Sequence, residues 1–259
     1  MTLVLSLFPG LDVLGMGFEA EGFSVVSGPD VVWGRDVREF HVPAGKFDGV
    51  IGGPPCQTFS TLANLVRAKG LEPRFGNLIP EFVRIVEEAQ SRWFLMENVV
   101  GVPEDCWPEP EGYAATTFVL DHSQLDRGDG IGHEQMRKRR FWFGQRGVRR
   151  ARDLSTLVQF ATFELPSRQA VLSDRRRIPV KLGGSGKVKQ TAVTGRHSSN
   201  GMGSAHPGNP PKYTLEEMLR LQGLEPEVLD HAPFTVQGKR KLIGNAVPLP
   251  MARELARCV

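Results

Sequence analysis

Four short apolar runs, each stopped by a turn-forming pair or a polar end, constrain this chain more than any other feature. Leu3 to Phe8 runs into Pro9-Gly10, Ser24 to Ser27 is closed by "GPD", and Phe47 to Ile51 is broken by "GGPP". "RWFLMENVVG" is apolar until Glu97 and Asn98. Helical patterns lie between the runs. "LGMGFEAEGF" reads as a short helix ending near Gly22. Pro80 suits a first helical turn, where its missing N–H leaves nothing unpaired. Phe82, Ile85, Val86 and Ala89 then recur at helical spacing. Strands alternating with helices predict a doubly wound α/β sheet. In such sheets ligands gather beyond the carboxyl ends of the strands. Gly10, Asp30, Cys56 and Glu97 all fall at those ends.

The chain has 259 residues, enough for one large domain or a domain with a smaller lobe. Its charge is unevenly spread. Residues 145–212 hold 13 Lys and Arg against 3 Asp and Glu, while the remainder holds 19 against 26. That segregation suggests a face for a polyanion, although a solvated basic loop has the same composition. The same stretch carries "GGSGKVKQ" and "GRHSSNGMGSAHPGNPPK", which predict a small irregular lobe with few short strands. Regular structure resumes at "TLEEMLRLQGL", where Thr214 and Glu217 form a capping box and Gly223 a C-cap. No apolar run is long enough for a bilayer, and no signal peptide opens the sequence. Cys56, Cys106 and Cys258 are widely spaced, with no CxxC pair and no Cys/His cluster for a metal. The expectation is a reduced, cytoplasmic protein without a metal, with Cys106 and Cys258 structural or incidental.

Four stretches carry candidate chemistry. In "GGPPCQTFS", Cys56 sits at a strand end before a helix start, where unpaired backbone N–H groups favour a thiolate. A structural loop is the plain alternative. Glu97 ends the apolar strand "WFLM", which should raise its pKa and suit it to hold a proton. A capping or ion-paired glutamate is the plain alternative. In "QMRKRRFWFG", Gln135, Arg137 and Arg139 alternate, so on a strand they would share one face. An ordinary basic edge strand reads the same way. "LIGNAVPLPMARELA" is a Gly-Asn turn entering a helix.

Taken together and in order, these stretches resemble the cytosine-C5 DNA methyltransferases. "FPG", "PPCQTFS", "ENV", "QMRKR", "RLQGL" and "GNAVP" look like successive motifs of that family, spanning nearly the whole chain outside the basic stretch. The resemblance implies a Rossmann-like methyltransferase sheet at 1–144, a target-recognition lobe at 145–212, and a segment at 213–259 returning to the catalytic domain. It implies S-adenosylmethionine as cofactor, double-stranded DNA as partner, and a monomer. Catalytic roles fall to Cys56, Glu97, Arg137 and Arg139. Cofactor contacts fall to Phe8, Pro9, Gly10, Asp12, Asp30, Asp36, Pro55, Asn245 and Val247. DNA contacts fall to Gln57, Ser60, Gln135, Thr194 and Arg196, and residues 57–77 become a lid over a flipped base. The family's first motif usually reads Phe-x-Gly-x-Gly-Gly; here Asp12 and Val13 take the last two glycine places, which points Asp12 at the donor's ammonium group.

Three other classes compete with this reading. A tRNA methyltransferase on this scaffold would typically carry a Cys-Phe-Thr stretch in the recognition lobe, and none is present. A degenerate, DNA-binding homologue conflicts with the joint presence of Cys56, Glu97, Gln135, Arg137, Arg139 and Asn245. A dehydrogenase would need G-x-G-x-x-G, which "GLDVLGMGFE" lacks.

Overall fold

The computed structural model describes residues 1–55, 76–103, 106–107, 109–130, 132–162 and 213–259, with the backbone of 181–182 and 188–189. It divides into two compact units. The first joins Met1–Leu120, Lys138–Val158 and Ala252–Val259; the second joins Asp121–Arg137 and Gln159–Met251. The strands are β1 Leu3–Leu7, β2 Ser24–Ser27, β3 Gly49–Gly52, β4 Trp93–Asn98, β5 Tyr113–Asp121, β6 Lys138–Arg146, β7 Lys181–Leu182 and β8 Val188–Lys189. The helices described are α1 Val13–Ala20, α2 Ile79–Ala89, α3 Leu215–Leu221, α4 Val236–Asn245 and α5 Leu249–Cys258.

The first unit is built on a six-stranded sheet in the order β2-β1-β3-β4-β6-β5. β2, β1, β3 and β4 run parallel, and β6 is antiparallel to β4. Parallel strands with both faces covered must be apolar almost throughout. Accordingly every residue of β3 is buried, as are Val4 to Leu7 of β1. Gly49 is required by close approach: a Cβ there would lie 2.2 Å from the Trp93 ring.

Adjacent residues of β4 and β6 serve opposite faces. Phe94, Met96 and Trp142 join Leu5, Leu7 and Val50 in one cluster with Ile79, Phe82, Ile85, Val86 and Ala89 of α2. On the other face Trp93 stacks on Phe18 of α1 and meets Phe143. Gly17 of α1 receives Ala252 of α5, and a Cβ on Gly17 would lie 2.4 Å from that of Ala252. Arg253 and Arg257 of α5 both bond Glu21, just past the end of α1. The sheet is thus doubly wound, as the alternation of strands and helices predicts.

The second unit contains α3 and α4. The capping box forms as the sequence suggests: Glu217 N donates to Thr214 Oγ1 at 3.1 Å, and Thr214 N donates to Glu217 Oε2 at 2.6 Å. Gly223 closes α3 in the left-handed conformation, with φ +72°. β7 and β8 pair antiparallel. Most of the basic stretch at 145–212 falls outside the described residues, and so does the reading of it as a lobe. Among the described residues, no helix is long and apolar enough to cross a membrane.

Candidate active site

Three turns follow the carboxyl ends of β1, β2 and β3. The turn after β1 is tight: Phe8, Gly10 and Asp12 all take positive φ, at 54°, 56° and 57°. For Phe8 and Asp12 that backbone is strained, at about 1–2 kcal/mol per residue. Bonds to the next turn hold it. Gly10 N donates to Asp30 Oδ2 at 2.8 Å, and Trp33 Nε1 donates to Gly10 O at 2.8 Å. Asp30 Oδ1 meanwhile accepts from Val32 N and caps the turn Val31–Trp33. The Asp30 carboxylate is therefore fixed in direction, and each oxygen keeps room for a further donor.

Asp12 is occupied differently from what the resemblance implies. It caps α1 through Gly15 N, and it accepts the Ser6 hydroxyl at 2.6 Å and the Ser27 hydroxyl at 2.5 Å. Two hydroxyls and a helix N-terminus already satisfy most of this carboxylate. Its first task is to hold the strained turn.

Asp36 caps the turn Val37–Glu39 and grips Arg38. Arg38 Nε lies 3.0 and 3.1 Å from the two carboxylate oxygens, and Arg38 N donates at 3.0 Å. The Arg38 guanidinium holds the Asp36 carboxyl down at about 2. With Arg38 Nη2 also on Oδ2, the acceptor sites of Asp36 are largely filled.

These turns enclose a cleft of about 490 Å³, counting space open to solvent, lined by Phe8, Pro29, Asp30, Val31, Asp36, Val37, Arg38, Pro55, Gly76 and Leu78. Of the cofactor residues expected from sequence, Phe8, Asp30, Asp36 and Pro55 meet here. Pro9, Gly10 and Asp12 form the turn beside it. Asn245 and Val247 belong to the second unit. The cleft's lining suits a nucleoside: a fixed carboxylate to accept from hydroxyl groups, and Phe8, Val31, Val37 and Leu78 as apolar walls for a base. The residues present thus fit the nucleoside end of S-adenosylmethionine. Sequence reading missed Arg38, Gly76 and Leu78, which no motif marked.

Glu97 closes β4 and is 8% exposed. In the β4–β6 register it lies opposite Phe141, so Arg139, two residues earlier, is its diagonal neighbour on the same face. Arg139 Nε reaches Glu97 Oε1 at 2.6 Å. Burial disfavours the carboxylate, and the guanidinium favours it. Glu97 is therefore ion-paired here, not simply the poorly solvated carboxyl that the sequence suggests. The residues leading to Cys56 pack against this pair. A Cβ on Gly53 would lie 2.9 Å from Glu97 Oε2, and Asn98 Nδ2 donates to Pro54 O at 3.2 Å. Cys56, Gln57, Ser60, Thr194 and Arg196 lie outside the described residues.

Gln135 and Arg137 do not share a strand face with Arg139. β6 begins at Lys138, and both precede it within the second unit. Their side chains are buried, at 0% and 2% exposure, and they bond main-chain carbonyls. Gln135 Nε2 donates to Leu221 O at 2.7 Å. Arg137 Nη2 donates to Gly244 O at 2.7 Å and Ala246 O at 2.8 Å, one on each side of Asn245. Gln222 Nε2 adds a bond to Ile243 O at 2.8 Å. The alternation fails because uncompensated carbonyls at the ends of α3 and α4 claim these donors.

Residues 33–105 and 134–259 match the C-5 cytosine-specific DNA methylases. The chain belongs to that family. It is 35% identical over 117 residues to the type II methyltransferase M.FnuDI of Fusobacterium nucleatum, covering 38% of this chain and 33% of that relative. To M.NgoPII of Neisseria gonorrhoeae it is 31% identical over 118 residues, covering 38% of this chain and 33% of the other. The chain thus spans about a third of the length of these curated relatives. In fold it is similar to a variant DNMT2 from Spodoptera frugiperda, with TM-score 0.62 at 14% identity, covering 100% of this chain and 99% of that one. The sheet is accordingly the Rossmann-like sheet of this family.

Proposed function

We propose that the protein methylates C5 of cytosine in double-stranded DNA, with S-adenosylmethionine as the methyl donor. The observation that carries this reading is the buried Glu97–Arg139 pair packed on Gly53, three residues before Cys56, in a chain of this family. Cytosine C5 is a poor nucleophile. The Cys56 thiolate would add to C6 and make C5 enamine-like. Glu97 would hydrogen-bond N3 and the exocyclic amine as charge builds there, and Arg139 would orient Glu97 and face O2. C5 would then take the methyl group, with S-adenosylhomocysteine left behind, and loss of the C5 proton would let Cys56 leave by elimination.

The donor, when bound, supplies the methyl group. Asp30 would hold its ribose hydroxyls against the walls formed by Phe8, Val31 and Val37. Pro9, Gly10, Asp12, Asp36 and Pro55 belong to the same set, to which the resemblance adds Asn245 and Val247. None of this can happen within a stacked duplex, so the target base must flip out, at a cost of about a few kcal/mol. Gln57, Ser60, Thr194 and Arg196 are the proposed DNA contacts, and the basic stretch at 145–212 the recognition lobe. The buried bonds of Gln135 and Arg137 favour an indirect part for both.

The test is mass spectrometry of nucleosides from unmethylated DNA incubated with the protein and S-adenosylmethionine, with Cys56→Ser alongside. 5-Methylcytosine should form only with the intact cysteine. Binding of DNA and donor without any modified base would overturn the proposal, and modification of tRNA but not DNA would move the substrate.

A further inference from the structure

The wall of the cleft that carries Asp36, Val37 and Arg38 has no strand of its own. It is a single turn of 3-10 helix, Val37–Glu39, between two extended residues. Val37 is buried and packs into the α2 cluster, and the short turn closes on itself through Glu39 N to Asp36 O at 3.3 Å and Phe40 N to Val37 O at 3.1 Å. A side chain from α2 adds a second donor to Val37 O and a donor to Phe40 O. Arg84 Nη2 donates to Val37 O at 2.9 Å, and Arg84 Nη1 donates to Phe40 O at 3.1 Å.

Arg84 is itself held from both sides along its helix. Its Nε meets Glu81 Oε2 at 2.8 Å, and its Nη1 meets Glu88 Oε1 at 2.6 Å. Glu88 extends the tie through its other oxygen, which accepts from Val42 N at 3.3 Å, and through Oε1, which lies 3.0 Å from His41 Nδ1. Three i,i+3 and i,i+4 positions of one helix therefore set a planar guanidinium against two carbonyls, which is the geometry arginine serves better than lysine.

We infer that Arg84 is a positioning residue for the methyl donor: by holding the carbonyls of Val37 and Phe40 it fixes the 36–38 wall of the cleft. Arg84 does not itself line the cleft, so it governs binding through the wall and leaves the chemical step alone. The inference rests on the reading that this cleft takes S-adenosylmethionine.

The experiment is calorimetric titration of the full chain with S-adenosylhomocysteine, using wild type, Arg84→Met, Arg84→Lys, Asp36→Asn, and the Arg84→Met and Asp36→Asn double variant. Urea unfolding of each is recorded in parallel. Arg84→Met should weaken binding on the order of tenfold, as expected for losing charged donors to two carbonyls. Arg84→Lys, which keeps one charge but not the fork, should fall between. The double variant should lose less than the two single losses combined, because both act on one wall. With saturating donor, kcat should stay within about twofold of wild type while KM for the donor rises.

Unchanged affinity in Arg84→Met, additive losses, or a fall in kcat at constant KM would each overturn the inference. If Arg84→Met does not fold, the same comparison is made with Arg84→Lys, whose unchanged affinity would overturn it equally. Failure of the wild type to bind S-adenosylhomocysteine would instead remove the reading of the cleft, a result visible before any variant is made.

Discussion

Replacing Gly53 by alanine should separate turnover from stability. A Cβ there would lie 2.9 Å from Glu97 Oε2, and the next nearest atom, Glu97 O, is 3.8 Å away. Ordinary carbon–oxygen contacts fall at about 3.3–3.6 Å, so the carboxyl must yield by roughly half an ångström. It cannot yield freely, because Arg139 holds its other oxygen at 2.6 Å and both side chains are at most 14% exposed. Groups in a working site must stay within about 0.5 Å of their productive positions, and a 1 Å displacement costs on the order of a hundredfold in rate. The expected result is a fall in kcat of about 10- to 100-fold. Stability should hardly move. Alanine restricts the unfolded chain by about 0.4–1 kcal/mol, which offsets a similar strain at the end of one side chain. Methyl transfer at saturating donor and DNA, with urea unfolding of the same preparations, measures both. Wild-type turnover in a stably folded Gly53→Ala protein would refute the argument that chemistry depends on where Glu97 is held. A stability loss above about 2 kcal/mol would show the strain falling on the backbone instead.

Three further outcomes follow from the buried polar groups. Asp12→Ala removes the cap of α1 and leaves the Ser6 hydroxyl, 1% exposed, without its acceptor. Together these should cost about 2–4 kcal/mol in urea unfolding, and a loss under about 1 kcal/mol would contradict the assigned role. Arg137→Ala should destabilise by about 3 kcal/mol, because two carbonyls beside Asn245 lose a charged donor. Hydrogen exchange at residues 244–249 should rise with it, and unchanged exchange there would count against the clamp. His122 is held neutral: burial pushes its pKa well below 6.5, and His133 and Arg137 push the same way. Its ring stacks on His133 at 4.2 Å, and among the described residues neither of its nitrogens has a hydrogen-bond partner. Below pH 6.5 the unfolded chain therefore binds a proton that the folded chain refuses. Stability should then fall by about 1.4 kcal/mol per pH unit from this residue as the pH drops, and His122→Phe should flatten that slope. An unchanged slope in the variant would show the imidazole is protonated in the fold.

Much of this was readable from the chain, and the unreadable part has a physical cause. Strand ends carrying Gly10, Asp30 and Glu97 follow from local pattern, as do α2 from Pro80 and the capping box of α3. The partners of those residues do not, because they are chosen across the sheet or between helices. Gln135 and Arg137 show this. Their alternation reads as a strand face, but their acceptors lie 86 to 109 residues away, at the ends of α3 and α4. Arg84 carries no signal in the apolar spacing that marks α2, and its acceptors lie 44 and 47 residues back.

The pairing of Glu97 shows the limit most clearly. Residues 137–140 are all basic, so composition offers four candidates for one carboxylate. Register selects among them. Phe143 meets Trp93 on one face, and Trp142 joins the α2 cluster on the other. That places Arg139 on the face shared by Phe141 and Phe143, whose register partners are Glu97 and Leu95. A slip of one residue would turn Arg139 away and bring its neighbours to Glu97, while burying the aromatic residues on the wrong sides. The large apolar side chains that follow the basic run therefore decide which arginine reaches Glu97, and no pattern confined to the basic run contains that information.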